Sequence, residues 1–401
     1  MPRFEPFRGL RYQVRALSDK GCALDQVIAP PYDVIEPDER ERLSGRSAYN
    51  AVRVELPEDE PGRDRYRAAA FRLETWEAEG ILGRDNEPAF YAYRMSSEVG
   101  GAARRLTGVI GALGLEPLGE GDILPHERTL PKPLGDRFEL LRACQVNTSP
   151  IWGLSAAGGL SRLIGEPPPG APTAIDDEGV VHGCWPVSDP TAVEAISSAL
   201  SSQPLVIADG HHRYETALAY RAEVAGVPDR PPGAAAIMAF VVDLADDQLS
   251  VRAIHRTLHD LDPSFDLLSA LAAVADLEPV GEAALKEASQ VPPPATLLGA
   301  PEGAFALHWR PGRTPVELDA DSSRLDLALT ALPPHQLAYT HDEGAVLQAV
   351  REGRARAGFL LRPVAVGLIA EAARDRRRFP PKTSFFAPKP RTGMVFRPLS
   401  A

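Results

Sequence analysis

The stretch LVIADGHHRYETALAYR, Leu205 to Arg221, constrains the fold of this chain more than any other part of the sequence. Its apolar start, Leu205 to Ile207, is typical of a buried strand, and Asp209 with Gly210 interrupts that run. From His211 onwards, apolar residues recur at helical spacing among good helix formers. The pattern therefore predicts a strand, a tight turn and a helix in direct succession.

The first turn of this helix carries His211, His212 and Arg213. A helix N-terminus has unpaired N–H groups and a partial positive charge, so it favours anions, and cations placed there oppose the helix dipole. Gly210 lets a ligand approach the backbone, and an arginine supplies a planar cation. The segment indicates a phosphate-binding turn, with packing of the histidines as the structural alternative. Asp209 fits either a general base or an ordinary helix N-cap.

Composition limits the class of protein. The chain has 401 residues, which predicts about two or three domains, and its 43 basic and 55 acidic side chains give a formal net charge of −12. This acidic balance argues against a nucleic-acid partner. Cys22, Cys144 and Cys184 are scattered without metal-binding or redox spacing. No signal-like stretch opens the sequence and no apolar run is long enough for a bilayer. We expect a cytoplasmic protein without a membrane partner.

Hydrophobic periodicity and turn residues predict an α+β fold, a mixed arrangement of helices and strands around the phosphate-binding turn. We expect an N-terminal α+β region over 1–164, a core with the DGHHR turn over 174–262, and a C-terminal α+β region with a basic tail over 263–401. The predicted strands are 49–56, 89–95, 105–113, 149–154, 205–207, 337–341 and 358–361. Two more strands, 237–244 and 249–258, are predicted on either side of a turn at 245–248, and a hairpin is predicted over 295–309. The predicted helices are 63–80, 136–143, 189–200, 211–221, 265–275, 323–331, 343–352 and 364–373.

Two polar loops contain further candidate site residues. In the loop HERT, Glu127 lies between His126 and Arg128 and is followed by Thr129, an arrangement that can accept a proton from a hydroxyl or hold a metal. The same loop continues to Lys132, and a solvated, proline-stiffened connection is an equally good interpretation. Further upstream, Tyr32 and Asp33 follow two prolines, and with His126 they are candidates for binding the substrate.

The C-terminal segment is basic on an otherwise acidic chain, with eight basic residues and one acidic residue between Arg374 and Arg397. Within it, Lys382 stands beside the hydroxyls of Thr383 and Ser384, and this triplet is a candidate polyanion contact. For 374–378 the expected state is a solvated basic surface.

Several phosphate and hydrolase motifs are missing from the sequence. It has no GxxxxGK[ST], no GxGxxG after a strand, no GxSxG, no HExxH and no CxxC. These absences argue against a Walker-type NTPase and a dinucleotide dehydrogenase. Any phosphate binding would then depend on the strand–DGHHR–helix arrangement.

Taken together, several segments resemble the domain-of-unknown-function family one thousand and fifteen over nearly the whole chain. These segments are APPYDV, HERTLPKP, DRFELLRAC, NTSPI, ADGHHRYETALAYR, HRTLH and FPPKTSFFAPKPRTG. The DGHHR turn is also similar to the phosphate-binding motif of the ParB/sulfiredoxin superfamily, in which free-serine kinases carry the same motif. The resemblance implies a ParB/sulfiredoxin-like core.

For function, the resemblance implies phosphoryl transfer from ATP, ADP or pyrophosphate, with Mg²⁺, to free L-serine or a similar small hydroxyl acceptor. In the kinase relatives a glutamate is the base, and Glu127 is the candidate for that role here. Asp209, Gly210, His211, His212 and Arg213 match the kinase motif fully. The candidate catalytic residues are Glu127, Asp209 and His212, and the candidate phosphate or nucleotide ligands are Gly210, His211, His212, Arg213, Arg128, Thr129, Lys382, Thr383 and Ser384.

Other functions remain open at this point. A nucleotide- or polyphosphate-binding regulator without turnover has the same sequence features, and a vestigial site in an assembly protein is a third alternative. A sulfiredoxin role is disfavoured because no cysteine lies beside the DGHHR turn. A partition-protein role is disfavoured because the net charge is acidic and the arginine-rich tail is not a helix-turn-helix. The tail also has Thr383 and Ser384 in the reverse of the family order, which keeps both hydroxyls.

Overall fold

The computed structural model describes residues 1–99, 102–129, 133–244, 249–281, 284–285 and 295–400. The chain folds into two compact units. The first unit comprises Met1–Pro125, Thr129–Leu249 and Pro388–Ala401, and the second comprises His126–Arg128 and Ser250–Ala387. Both units combine helices with strands, which confirms the predicted α+β class. The three regions predicted from the sequence stay a prediction.

The first unit contains most of the described elements. Its strands are β1 (Phe4–Glu5), β2 (Leu10–Tyr12), β3 (Leu82–Arg84), β4 (Phe90–Val99), β5 (Ala102–Gly114), β6 (Ile123–Pro125), β7 (Val146–Asn147), β8 (Ile151–Ser155), β9 (Thr173–Ile175), β10 (Val181–Val187), β11 (Leu205–Asp209), β12 (Ala236–Asp243) and β21 (Arg397–Pro398). Its α-helices are α1 (Val14–Asp19), α2 (Pro37–Arg46), α3 (Val52–Glu55), α4 (Arg65–Ala78), α5 (Pro133–Cys144), α6 (Leu160–Ile164), α7 (Pro190–Ser201) and α8 (His211–Glu223), and short 3-10 turns include Leu24–Gln26 and Tyr32–Val34.

Apart from the separate pairs β2–β3 and β7–β21, the described strands of the first unit build one large mixed sheet. Its order is β6–β11–β8–β12–β5–β4–β10–β9, and β1 also pairs with β5. β11 runs parallel to β6 and antiparallel to β8, whereas β8 runs parallel to β12. The register between β11 and β8 shifts between Ile207 and Asp209. Such an irregularity re-aims the side chains that follow it, and here it lies directly before the DGHHR turn.

The core of the first unit explains why β11 and α8 follow each other so closely. β11 and β12 are nearly continuous apolar runs, as expected for strands that are covered on both faces. Leu205 and Ile207 of β11 pack in one cluster with Ile196 of α7 and with Tyr214 and Ala217 of α8. The helix is therefore fixed by its apolar face, and its first turn is held at the end of β11.

The second unit is organised around an antiparallel sheet. Its described strands are β13 (Ser250–Ala253), β14 (His255–His259), β15 (Ala275–Val280), β16 (Ala295–Ala300), β17 (Gly303–Trp309), β18 (Gln336–Thr340), β19 (Ala357–Leu360) and β20 (Ser384–Ala387), and its helices are α9 (Leu267–Ala272), α10 (Asp321–Leu329), α11 (Glu343–Arg351) and α12 (Val366–Arg374). The sheet order is β15–β17–β16–β19–β14–β18, and β13 pairs separately with β20.

Most predicted elements are present within a few residues of their predicted bounds. The strand–turn–helix over 205–221, the strands over 89–95 and 105–113, and the helices over 63–80 and 189–200 are confirmed. Three short parts of the predictions lie outside the described residues: residues 100–101 between the predicted strands 89–95 and 105–113, the turn at 245–248, and Lys132.

The strand predicted over 49–56 is wrong, because this segment forms the short helix α3. The Asn50 amide nitrogen donates to the carbonyls of Gln26 (2.8 Å) and Ile28 (3.2 Å), and its oxygen accepts from the Val52 N–H (2.9 Å). Side-chain bonds of this kind compete with a strand ladder and favour a turn that starts a helix. The hydrogen bonds of one buried polar residue therefore override the strand preference of the alternating pattern.

Two further predictions need correction. The segment 249–258 is two strands, β13 and β14, and neither pairs with β12: β13 pairs with β20, and β14 pairs with β18 and β19. The helix predicted over 265–275 is shorter, since it ends at Ala272 and Ala275 already starts β15. Along the described residues, no helix combines the length and apolarity that a bilayer crossing requires.

We expect Asn50→Ala to destabilise the protein by roughly 2–4 kcal/mol, because three hydrogen bonds are lost and buried backbone groups are left without partners. Urea unfolding monitored by fluorescence gives the change in the free energy of unfolding. Asn86→Ala, at an exposed asparagine, is the matched control. Equal stabilities of the two variants would contradict this account of α3.

His255 gives a pH dependence to the stability of the second unit. Burial, with the nearby Arg256 and His341 charges, lowers the pKa of His255 to about 4, and Asp342 opposes this. Its Nδ1 accepts the Leu361 N–H at 3.1 Å. Because the unfolded chain binds the proton near pH 6.5, the folded state loses up to about 3 kcal/mol as the pH falls from 6.5 to 4.

We therefore expect His255→Asn, which keeps an acceptor but does not titrate, to flatten the stability profile between pH 4 and 6.5. Urea unfolding at half-unit pH steps measures this. His308→Asn, at a partly exposed histidine on β17, should leave the slope of the native protein unchanged. A slope that survives in His255→Asn would assign the acid sensitivity to other groups.

Candidate functional site

The DGHHR turn requires glycine at position 210 for two reasons. Gly210 is the N-cap of α8 and has φ 90° and ψ 25°, a left-handed conformation that disfavours other residues. A Cβ atom at this position would also lie 2.8 Å from Cγ2 of Ile151. Asp209 is the last residue of β11, so the interpretation of this aspartate as an ordinary N-cap is wrong.

A chain of alternating charges holds this turn. Arg213 Nη2 donates to Asp209 Oδ2 at 2.6 Å, and Lys389 Nζ donates to Asp209 Oδ1 at 2.6 Å. Lys389 Nζ also donates to Asp33 Oδ2 at 2.9 Å. Each oxygen of Asp209 therefore faces a cation, which is the compensation that buried charges require. The network joins three segments that are far apart in the sequence.

Both cations of the network stay charged. Burial lowers the pKa of Lys389, but the carboxylates of Asp209 and Asp33 more than offset this, and its pKa is raised overall. Arg213 behaves in the same way: burial opposes its charge, Asp209 and then Asp33 favour it, and its pKa is raised. Both side chains are therefore positively charged throughout the neutral pH range.

Arg213 also connects the turn to a buried polar cluster. Its Nη1 donates to Ser149 Oγ (3.1 Å), which in turn donates to Glu55 Oε1 (3.0 Å). The Tyr32 N–H donates to the same Glu55 oxygen at 3.3 Å. Arg137 Nη1 donates to the Glu55 carbonyl at 2.7 Å, and its guanidinium lies 4.4 Å from the centre of the Tyr32 ring. Glu55 is 1% exposed, so this carboxylate is fully enclosed.

This cluster lines a small cavity within the first unit, with a volume of about 40 Å³. We call it the Glu55 cavity. Such a volume takes about three water-sized groups. Burial raises the pKa of the Tyr32 phenol well above its usual value, so Tyr32 keeps its proton. The polar residues on the cavity wall include Tyr32, Glu55, Arg137, Ser149, Arg213 and Thr216.

The two other predicted segments meet inside the second unit. His126 Nε2 lies 2.8 Å from Ser384 Oγ, and Glu127 Oε2 accepts the Thr383 N–H at 3.1 Å. Glu127 Oε2 is also 3.9 Å from the same Nε2 of His126. In a Ser–His–Glu triad the carboxylate holds the opposite ring nitrogen, so this arrangement is not a hydrolase triad.

The loop around Lys382 is backbone-strained. Lys382 has φ 58°, a left-handed value that is uncommon for a residue with a side chain. Its carbonyl accepts from Arg256 Nη1 at 2.7 Å, and Arg256 is fully buried. The loop conformation is therefore imposed by the second unit. Arg128 is exposed, and its N–H donates to the Phe379 carbonyl at 3.0 Å.

The predicted site residues thus fall into two groups. Tyr32, Asp33 and the DGHHR residues belong to the first unit, in which Thr129 donates to Glu215. His126, Glu127, Arg128, Lys382, Thr383 and Ser384 belong to the second unit. On the first turn of α8, His211 is buried and His212 is half-buried. The roles assigned to these residues from the sequence stay predictions.

Sequence reasoning missed four residues of the first unit: Lys389, Glu55, Arg137 and Ser149. Lys389 was hidden because it lies in a basic tail, where a solvated side chain is the ordinary expectation. Glu55 was hidden by the wrong strand prediction. For Lys389, Arg137 and Ser149 the available signal was their position within segments that carry the family resemblance: PKPRTG, DRFELLRAC and NTSPI.

A magnesium ion has no prepared set of ligands here. Among the described residues, no group of three or more His, Cys, Asp or Glu side chains is placed to hold a metal. Asp33 and Asp209 both direct an oxygen at the Lys389 ammonium, which a metal would have to displace. Mg²⁺ commonly binds through one or two carboxylates and the phosphates of a substrate. The ion would therefore have to arrive with a phosphate donor.

Comparison with known proteins identifies the family. A family model described as a protein of unknown function (DUF1015) matches residues 4–347, and the chain belongs to this family. The resemblance to this family, inferred from the sequence motifs, is thereby confirmed. No curated protein matches the chain at a significant level.

Solved structures are similar only at a distance. A conserved hypothetical protein from Pyrococcus furiosus shares 14% identity, with a TM-score of 0.38, covering 66% of this chain and 87% of its own. A free serine kinase in complex with AMP shares 13% identity, with a TM-score of 0.38, covering 66% and 84%. SbnI from Staphylococcus aureus, truncated at its C-terminus, shares 9% identity, with a TM-score of 0.37, covering 72% and 87%. At these TM-scores the likeness carries no argument about function.

We expect Lys389→Met to destabilise the protein by about 3–5 kcal/mol at pH 8, because it leaves two partly buried carboxylates without their shared, buried cation. The loss should be smaller at pH 5, since protonation of a carboxylate that has lost its cation relieves the repulsion. Urea unfolding at both pH values measures the two losses. Lys20→Met, at an exposed lysine, is the control. A loss that does not depend on pH would contradict the charge network.

Proposed function

We propose that this protein transfers a phosphoryl group from a nucleotide or pyrophosphate to the hydroxyl of a small acceptor, with free L-serine as the first candidate. The observation that carries the proposal is the double contact of Arg213. One side chain ties the glycine turn at the start of α8, through Asp209, to the Glu55 cavity, through Ser149. A phosphate-binding turn and an acceptor pocket would then share one rigid support, and transfer depends on such positioning.

The donor would bind at the first turn of α8. The helical ladder begins with the Tyr214 N–H bonded to the Gly210 carbonyl, so the N–H groups before it lie at the positive end of the helix dipole. Gly210 has no side chain to keep a phosphate away, and His212 is half-buried on the same turn. Both terminal nitrogens of Arg213 donate hydrogen bonds within the protein, to Ser149 and Asp209. This favours a positioning role for the arginine over direct contact with phosphate.

In the proposed step the acceptor oxygen attacks the terminal phosphorus of the donor. A new O–P bond forms, the bond from that phosphorus to the leaving phosphate breaks, and the hydroxyl proton passes to a carboxylate. Asp209 and Glu127 are the candidate bases predicted from the sequence. Magnesium would neutralise charge on the donor phosphates, and neither carboxylate is assigned as its ligand.

A regulator that binds a nucleotide or polyphosphate without turnover is the second candidate. It is favoured by one observation: both oxygens of Asp209 are already bonded to cations, so Asp209 can accept a proton only by giving up an ion pair. In the second unit, Glu127 Oε2 already accepts the Thr383 N–H.

The test is to incubate the full-length protein with L-serine, Mg²⁺ and, separately, ATP, ADP or pyrophosphate, and to detect O-phosphoserine by ³¹P NMR and mass spectrometry. We expect product with at least one donor, and loss of product when EDTA is added. Asp209→Asn or Glu127→Gln should lower kcat roughly 10²- to 10⁴-fold if the altered residue is the base, while nucleotide-induced thermal stabilisation persists.

The control for these variants is Asp229→Asn, an exposed aspartate beyond α8, which should keep the native rate. Stabilisation by a nucleotide without phosphorylation of serine or any other small hydroxyl compound would replace the transferase with the regulator. Failure of all donors both to bind and to react would remove both functions.

A further inference from the structure

The Glu55 cavity carries an unusual set of polar atoms. Glu55 Oε2, Arg213 Nε and Thr216 Oγ1 are buried and find no hydrogen-bond partner among the described residues. All three side chains line the same cavity. Buried polar atoms in folded proteins are almost always bonded, so each exception calls for a reason. Three such atoms on side chains that line one cavity mark a place that a bound polar group completes.

The chemistry of these atoms selects the kind of group. Glu55 Oε2 is a hydrogen-bond acceptor, Arg213 Nε–H is a donor, and the Thr216 hydroxyl can be either. A hydroxyl group both donates and accepts, and therefore suits all three. An ammonium group cannot accept from Arg213. A phosphate or carboxylate would face the buried Glu55 carboxylate, and the terminal nitrogens of Arg213 are already bonded elsewhere.

The size of the cavity limits what accompanies this hydroxyl. About 40 Å³ admits a few heavy atoms and excludes a nucleobase or a sugar ring. The rest of the wall includes apolar side chains, among them Leu140, Leu141 and Ile237. Such side chains suit a methylene group next to the hydroxyl. The site thus fits a –CH₂–OH group at the end of a small molecule.

We infer that the Glu55 cavity is the binding site for the hydroxymethyl group of a small alcohol, with Glu55 Oε2 accepting its hydrogen bond and Arg213 Nε donating to its oxygen. The assignment of this alcohol as the phosphoryl acceptor rests on the proposed function, whereas binding itself does not. Thr216 contributes a further hydrogen bond. The apolar wall favours a primary alcohol over an ion.

This assignment predicts discrimination between ligands that differ in one oxygen atom. A site with buried polar groups rejects an analogue that leaves them unpaired. L-Serine, ethanolamine and glycerol carry the hydroxymethyl group, whereas L-alanine and ethylamine do not. We expect at least one of the three alcohols to bind, and its deoxy counterpart, where the pair exists, to bind at least tenfold more weakly.

The experiment measures binding to the full-length protein by isothermal titration calorimetry, without any phosphate donor. Glu55→Gln exchanges the acceptor for a donor and should weaken binding of the alcohol roughly 10- to 100-fold. Thr216→Val keeps the shape of the side chain and should also weaken binding, and it serves if Glu55→Gln fails to fold. Glu139→Gln, at an exposed glutamate on α5, is the matched control and should bind like the native protein.

The outcomes separate this inference from the proposed function. Binding that is equal for serine and alanine, or unchanged in both cavity variants, would overturn the inference, as would failure of all three alcohols to bind, which would leave a water-filled cavity only. Alcohol binding without phosphorylated product would retain the cavity assignment and remove the transferase. If product forms and the KM for the acceptor is unchanged in Glu55→Gln and Thr216→Val, the transferase is retained and the cavity assignment is removed.

Discussion

The geometry of the first unit depends on the carboxylate of Asp209, which lies between Arg213 and Lys389. A buried ion pair is costly to desolvate and often no more stabilising than an apolar replacement. Its effect here is positional. Asp209 ends β11, Arg213 lies on the first turn of α8, and Lys389 comes from the C-terminal segment and also holds Asp33. One carboxylate therefore sets the relation between the strand, the helix start and two distant loops.

This network gives a structural role to one of the basic residues at the start of α8. From sequence alone, a basic cluster at a helix N-terminus has no folding role, which makes a bound anion the natural explanation. The structure gives Arg213 such a role, because Asp209, four residues earlier, neutralises it. Gly210, the helix dipole and the two histidines are then the features of this turn that favour a bound phosphate, more than the arginine.

Much of the fold follows from the sequence because burial leaves a pattern in the apolar residues: a continuous run in β11, and helical spacing in α8 and α4. The failures have a different origin. Helix α3 is determined by the hydrogen bonds of Asn50, and β13 and β14 are paired by strands about 80 to 130 residues further along the chain, neither of which a local pattern encodes. The site shows the same division. The DGHHR turn was visible as a contiguous motif, whereas Lys389, Glu55 and Ser149 become neighbours of it only through tertiary structure.

These contacts suggest separate roles for the charge network and for the cavity within the candidate site. Arg213 uses its terminal nitrogens to join Asp209 and Ser149, and its side chain lines the Glu55 cavity. Residues of the charge network would then act on the placement of the donor, whereas cavity residues would act on the acceptor. Arg213 belongs to both the charge network and the cavity, so its replacement would change donor placement and acceptor binding together. Lys389 belongs only to the network and Thr216 only to the cavity, so replacing them can separate the two effects. The physical reason is that a shared support transmits any displacement to both partners, which a closely packed interior does not absorb.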